Sequence, residues 1–276
     1  MRIDVTTTIE YDHSSDPNFL TYYAEQSATQ ATVQRFGRIK DRSLRLLSER
    51  GKSTDRLTVL DIGCGAGTQA RLWAEAGHLA HGVDVNAPLI AVGQARAKEE
   101  GLTLDLCVGS ATQLQYDDAC MDVCLMPELL EHVQDWQSCV KEAVRVLKPG
   151  GLLYLSTSNV LCPMQNEFNL PLYSWYPAFA KRHFEHLAVT TRPDLANFAR
   201  YPAVNWFSYY SLRRYLTPLG MDCRDRFEVC ETQGRSPTGK LAIRLLKALP
   251  PLRAVGQTLR AGCSVWAFRQ ENSPKR

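Results

Sequence analysis

The chain of 276 residues has no apolar run approaching the roughly 18–20 residues that a membrane-spanning helix needs. Its first residues, MRIDVTTTIEYDH, lack the apolar segment of a secretory signal, so none is expected. No CxxC pair occurs among the nine cysteines, and their number is odd. Neither a disulfide framework nor a zinc framework is therefore expected. Reduced core thiols in a cytoplasmic protein fit the pattern instead. Internal repeats and low-complexity tracts are missing, which removes solenoids and arrays. One sign of charge is missing from residues 234–262. That stretch holds Arg235, Lys240, Arg244, Lys247, Arg253 and Arg260 with no Asp or Glu. It carries +6 against a net +3 for the chain, so the remainder is −3. The total is too small to demand a nucleic-acid partner, and no aromatic-interleaved RNA motif accompanies the cations.

What is present is an ordinary globular composition, 45% hydrophobic and 22% charged. Disorder, collagen and coiled coil fail as whole-chain descriptions. Residues 1–56 read as a polar, helical amino-terminal lid, with Val33, Phe36, Ile39, Leu44, Leu46 and Leu47 at helical spacing over 32–50. From residue 57 short apolar runs alternate with helical segments. LTVLDI, LAHGVDV, LTLDLCV, MDVCLM and LLYLST are expected strands. Helices are expected at 66–76, 88–100 and 136–147, the last closed by Lys148-Pro149-Gly150-Gly151. Such alternation indicates a Rossmann-like, doubly wound α/β domain. The expected sheet has seven mostly parallel strands with an antiparallel last strand. After Ser158 the alternation stops. Residues 159–207, with Pro163, Trp175, Tyr176, Phe179, Phe184, Tyr201 and Pro202, read as a cap insertion over the carboxyl edge of the sheet. A helix at 208–220 and strands at 221–230 and 263–270 complete a single domain, 1–276, around the core at 57–158.

The sharpest local feature is Val59-Leu60-Asp61-Ile62-Gly63-Cys64-Gly65-Ala66-Gly67. A buried strand runs into a glycine turn and then a helix start, whose free N–H groups suit an anionic ligand. Several nucleotide-binding families share such a loop. Spacing separates them: the dinucleotide fingerprint wants Gly or Ala at the fifth position after the first glycine, and that position is Thr68. No GxxxxGK[ST] P-loop occurs. Asp84 ends the second strand, where a carboxylate can accept from a ribose diol.

These landmarks, with GSATQL (109–114), MDVCLMPELLEHV (121–133) and LKPGGLLYLSTSN (147–159), resemble the class I S-adenosylmethionine-dependent methyltransferases. The resemblance is densest over 57–160 and most like the quinone-biosynthesis-type small-molecule O-methyltransferases. It implies S-adenosyl-L-methionine as cofactor. By the family pattern Asp61 and the backbone of Gly63, Cys64, Gly65 and Gly67 hold the methionine part. Asp84, with Val85 and Asn86 beside it, takes the ribose. Ser110 and Ala111 lie where adenine is held, with Ser110 where the family often has Asp. Met126 lies where the chain after the fourth strand passes the cofactor.

The acceptor is less legible. In Glu128-x-x-Glu131-His132 a helical turn would bring two carboxylates and an imidazole to one face. Glu131 and His132 are the candidate catalytic pair, because a hydroxyl acceptor needs its proton removed and imidazole suits that near neutral pH. The alternative is a His held only by its neighbours. Some relatives use E-x-x-E-H with a later His to hold a divalent ion. His183 and His186 match no such position, so the metal is the lesser reading and no metal ligand is assigned. Tyr22, Tyr23 and the cap aromatics are candidate walls of an acceptor pocket; Arg38 and Arg42 are candidate partners of the cofactor carboxylate or solvated charges. Residues 240–260 read either as a helix packed on the sheet or as an amphipathic surface helix, broken at Pro250-Pro251, facing the inner membrane face. The expected partner is a small-molecule, glycan or lipid-linked hydroxyl. Methylation of nitrogen or carbon, and a cofactor-binding scaffold without turnover, are the alternatives.

Overall fold

The computed structural model describes residues 17–165, 167–196, 203–232 and 234–271. The first sixteen residues of the expected lid, the Tyr22 side chain and the cap residues Tyr201 and Pro202 lie outside the described residues. Two helices come first, α1 (Pro17–Ser27) and α2 (Gln30–Glu49), the second capped by Thr29, which accepts from the Thr32 amide. The alternation follows as β1 (Thr58–Ile62), α3 (Thr68–Glu75), β2 (Leu79–Asp84), α4 (Ala87–Glu99), β3 (Asp105–Val108), β4 (Met121–Pro127), α5 (Trp136–Val146) and β5 (Leu147–Ser158). The cap contributes α6 (Ala178–Thr190). Then come α7 (Tyr209–Leu216), β6 (Met221–Asp225), α8 (Pro237–Ala248), α9 (Pro250–Gln257) and β7 (Gly262–Arg269).

The seven strands form one sheet in the order β3-β2-β1-β4-β5-β7-β6. The first five pair in parallel, and β7 runs antiparallel to both β5 and β6. This is the doubly wound fold expected from the alternation. Side chains alternate across the sheet, so β1 feeds two cores. Leu60 and Ile62 pack with Cys139, Val140 and Ala143 of α5 and Leu212 of α7. Val59 packs on the other face with Trp73 of α3, Ile90 of α4 and Ile39 and Leu46 of α2. Full burial of each such aliphatic side chain contributes about 1.5–3 kcal/mol. The cap has its own small core of Phe168, Tyr173, Ala188 and Leu195. The strand order reverses between β1 and β4, so a crevice opens at their carboxyl ends.

Two boundaries differ from the expectation. Lys148-Pro149-Gly150-Gly151 does not close α5 but begins β5, which starts at Leu147. Met121 pairs with Leu147 and Val123 with Leu152, so a bulge absorbs the glycines within the strand. The sixth strand ends at Asp225 rather than 230, because the Asp225 carboxylate accepts from the Phe227 and Glu228 amides at 2.9 and 3.0 Å and turns the chain. The basic stretch forms two helices broken at Pro250, where Pro250-Pro251 is expected to break it. Only Ile243 of α8 is buried, while Leu241, Leu245, Leu249, Leu252 and Val255 are exposed. The pair is a surface hairpin, not a helix laid on the sheet.

Candidate active site

The carboxyl end of β1 carries Asp61, which is 1% exposed and whose Oδ1 has no hydrogen-bond partner. Burial raises its pKa to about 8, against the opposing pull of the Ala70 amide and with a further push from Asp84. The turn that follows needs glycine. Gly63, Gly65 and Gly67 have φ of +74°, +53° and +72°, a region that a Cβ disfavours. A Cβ on Gly63 would also stand 2.7 Å from Leu129, so the loop after β4 packs directly on the glycine turn. Gly63 and Cys64 donate to the Val83 carbonyl at 2.8 and 3.1 Å, which ties the turn to β2. Cys64 is half-buried, and burial pushes its thiol well up, away from the reactive thiolate.

Asp84 closes the other side. Its Oδ2 accepts from the Gly65 amide and its Oδ1 from the Asn86 amide, both at 2.8 Å, which fixes the carboxylate while leaving further lone pairs. Burial raises its pKa, and these amides oppose the rise. Val85, 54% exposed, stands next to it at the rim. Asn86 is buried and caps α4 by accepting from the Leu89 amide at 3.0 Å. The Gly109 amide donates to the Asp84 carbonyl at 3.0 Å, which brings the turn after β3 alongside. There the Ser110 hydroxyl is engaged with Thr112 at 2.7 Å, and Ala111 is half-buried. Asp61, Gly63, Cys64, Gly65, Gly67, Asp84, Val85 and Asn86 thus converge, with Ser110 and Ala111 at the edge. Met126 does not join them: it is fully buried in the core under β4.

The loop after β4 departs from its expected shape. Residues 128–135 are turns rather than helix, and Glu128 has φ +53°. The two carboxylates are therefore not set by helical spacing. Glu128 Oε1 accepts from Ser156 Oγ at 2.6 Å and lies 4.0 Å from Arg35. Glu131 is 1% exposed, with Oε2 unpartnered. Burial first, and the Glu128 charge second, push its pKa well above the usual carboxylate range. Glu167, from the cap, accepts from Ser158 Oγ at 3.3 Å and is also raised by burial. His132 is half-buried beside this cluster, its amide donating to the Leu129 carbonyl at 3.0 Å. Among the described residues no three His, Cys, Asp or Glu side chains are grouped to hold a metal ion. His183 and His186 lie exposed on α6.

Arg38 is exposed and Arg42 stacks over Trp266 at 5.3 Å, so the α2 cation that meets the site edge is Arg35. Sequence reading missed Arg35, Ser156 and Glu167. Ser156-Thr157-Ser158 at the end of an apolar strand was a usable signal; Glu167 carried none. It also missed the seat of α1. Arg96 donates to Ser27 Oγ and the Ala24 carbonyl at 3.0 and 2.9 Å, and Thr68 Oγ1 donates to the Ser27 carbonyl at 2.9 Å. The amino-terminal helix is thereby held beside the glycine turn.

The donor set fits a cationic, ribose-bearing ligand: a buried carboxylate oxygen without a partner, a cradle that Cβ atoms would fill, and a second carboxylate held by two amides. Comparison with known proteins agrees. Residues 60–155 match the family model described as a methyltransferase domain. The chain is 38% identical over 102 residues to a ubiquinone biosynthesis O-methyltransferase of Idiomarina loihiensis, covering 37% of this chain and 42% of that protein. It thus spans about two fifths of the length of that curated relative. Solved structures share the fold. A SAM-dependent methyltransferase from Methanosarcina mazei superposes with TM-score 0.50 at 21% identity, over 81% of this chain and 97% of the other. Magnesium protoporphyrin IX methyltransferase from Synechocystis PCC 6803, with bound SAH, does so with TM-score 0.51 at 16% identity, over 90% and 88%. The strand order, the glycine turn and the matched segment agree: residues 60–155 are similar to a methyltransferase domain.

Proposed function

We propose that the protein transfers a methyl group from S-adenosylmethionine to a hydroxyl oxygen of a small-molecule acceptor. One juxtaposition carries this reading. The cradle of Asp61, the glycine turn and Asp84 is packed, through Gly63 against Leu129, on the loop that bears Glu131 and His132. When bound, the cofactor supplies a sulfonium-activated methyl group. In this reading Asp61 offers its unpartnered oxygen to the ammonium, and Asp84 accepts from the ribose hydroxyls. Val85 walls the adenine. Glu131, through its unpartnered oxygen, orients the acceptor hydroxyl, and an imidazole nitrogen of His132 takes the acceptor's proton. Alignment of the acceptor oxygen is the larger part of the task, because the methyl group arrives already activated. The named reaction of the curated relative supports oxygen as the atom methylated. Nine free cysteines support a reducing, cytoplasmic setting.

The test is calorimetry with S-adenosylmethionine, followed by a methyl-transfer screen over phenols, sugars and amines. Cofactor binding with transfer to a phenol or sugar is expected. Transfer only to amines overturns oxygen as the acceptor atom, and binding without any transfer leaves a cofactor-binding scaffold. With a working acceptor, His132→Ala lowers turnover by about a hundredfold or more, with cofactor affinity little changed. His132→Gln does not restore it, since an amide cannot take the proton. Full turnover in the Gln variant reduces His132 to an orienting group.

A further inference from the structure

The cap holds a cavity of 680 Å³, within the usual size of small-molecule sites. Its lining includes Trp175, Tyr176, Trp206, Lys181, Arg182 and Glu185. The floor is tied to the candidate active site. The Val204 and Asn205 amides donate to the Glu131 carbonyl at 2.8 and 3.1 Å, and Trp206 follows them in the chain. Val204, in the cavity wall, thereby ties the cavity to the backbone of the loop that carries Glu131 and His132.

Lys181 is the unusual member. It is 9% exposed, yet among the described residues no carboxylate lies within the 4.0 Å of an ion pair with its ammonium. Nζ donates to the Ser174 carbonyl at 2.8 Å and stands 4.3 Å from the centre of the Trp206 ring. An ammonium has three protons to donate, so this arrangement leaves two for another partner. Burying a charge is costly: burial pulls the Lys181 pKa down to about 8, and the Glu185 charge opposes the fall. Glu185, one turn along α6, carries the facing carboxyl, and burial raises its pKa toward the neutral form. Arg182 adds a second cation at the exposed rim. Two further groups of the lining residues are short of partners: the Ser174 hydroxyl and the Trp206 indole N–H. The cavity is therefore cationic and walled by flat rings.

We propose that this cap cavity binds the acceptor as a planar aromatic anion, through a ring carboxylate whose oxygens meet Lys181 and a ring that lies against Trp206, which leaves a ring hydroxyl as the group to be methylated. The identification of that anion as the acceptor rests on the methyl transfer proposed above; the binding site itself does not. The probes are 3,4-dihydroxybenzoate, its uncharged counterpart catechol, and cyclohexanecarboxylate, titrated into the full chain with S-adenosylmethionine present. Tryptophan fluorescence and calorimetry report binding. The dihydroxybenzoate is expected to bind at least tenfold more tightly than either control, and to accept methyl groups. Lys181→Met, which keeps the length and removes the buried charge, is expected to weaken it at least tenfold. The variant's melting temperature stays equal or rises, and its affinity for S-adenosylmethionine is unchanged. Arg182→Gln, at the rim, is expected to weaken it by less.

Equal binding of the acid and the two controls overturns the proposal. So does unchanged acid binding in Lys181→Met, or a large fall in that variant's melting temperature with binding retained, which marks the lysine as structural. Intact cofactor binding with no binding of the aromatic acid removes the cavity proposal alone. Absence of cofactor binding removes the proposed function and leaves the cavity's anion affinity to stand by its own titration. Acid binding without methylation makes the cavity an effector site and overturns its assignment to the acceptor.

Discussion

Asp61 shows at the scale of one residue how burial is turned to use. Its folded-state pKa, about 8, lies above the ordinary 3.8, so in that interval the folded chain holds a proton that the unfolded chain loses. The stability this group contributes is full below about pH 4 and is lost as the pH rises toward 8. Asp61→Asn removes the dependence. Thermal unfolding at pH 5, 7 and 8 is expected to show the wild type losing ground to the variant as pH rises, while the variant binds S-adenosylmethionine more weakly. Parallel curves would show that Asp61 ionises freely. Asp84 acts differently, because its two amide donors hold the carboxylate in place. Asp84→Ala removes a charged acceptor worth roughly 1.5–3 kcal/mol. Calorimetry is expected to show about a ten- to hundredfold loss of cofactor affinity; unchanged affinity would remove Asp84 from the site. Both aspartates were legible, because each ends a strand beside a glycine or a helix start. That Asp61 carries an unpartnered oxygen was not, since burial depends on what the other strands place over it.

Among the elements, the loop after β4 departs most from its sequence pattern. Glu128-x-x-Glu131-His132 has helical spacing, but Glu128 takes a positive φ and the segment turns. Its groups are fixed by Ser156 and by the returning cap at Val204 and Asn205, residues distant in the chain. The α8–α9 hairpin shows its helical pattern faithfully. What holds it is one buried carboxylate at the end of β6. Asp225 Oδ2 accepts from Arg253 Nε at 2.6 Å and Gln257 Nε2 at 2.7 Å, while Oδ1 takes two amides of its own turn. Arg253 also meets Glu228 at 2.7 Å, and it is partly exposed. Asp225→Ala is therefore expected to cost about 3 kcal/mol, the low end for breaking a buried pair, as measured by urea unfolding. Hydrogen exchange of α9 is expected to quicken more than that of β5. A loss under about 1 kcal/mol would show that the hairpin is held by its apolar contacts instead.

For the whole molecule, the sheet converts five separate loops into one crevice. Ligand binding there should be felt by the entire fold, because the cradle joins β1, β2 and β4. S-adenosylmethionine or its demethylated product at a hundred times its dissociation constant stabilises the folded state by about 2.7 kcal/mol. For a chain of this size that raises the melting temperature by roughly 5–10 °C. A nicotinamide dinucleotide is expected to give no shift in the same thermal scan; a shift with it, and none with S-adenosylmethionine, would contradict the cofactor assignment.

The sequence alone determined the alternation of strands and helices, the glycine turn and the two aspartates, since these follow from local periodicity and from backbone conformations that only glycine enters easily. The family resemblance over 57–160 rested on those same local features. The tertiary structure decided the rest. It put Met126 inside the core and Asn86 on a helix cap, and it brought Arg35 rather than Arg42 to the site edge. It placed the glycines at 150 and 151 inside a strand, through a bulge set by β4. It also assembled Lys181 and Trp206 around one cavity, with Val204 of its wall tied to the Glu131 carbonyl. The reason is physical: conformational preference is a property of neighbours in the chain, whereas burial, charge pairing and cavity walls are made by residues that meet only after the sheet has closed.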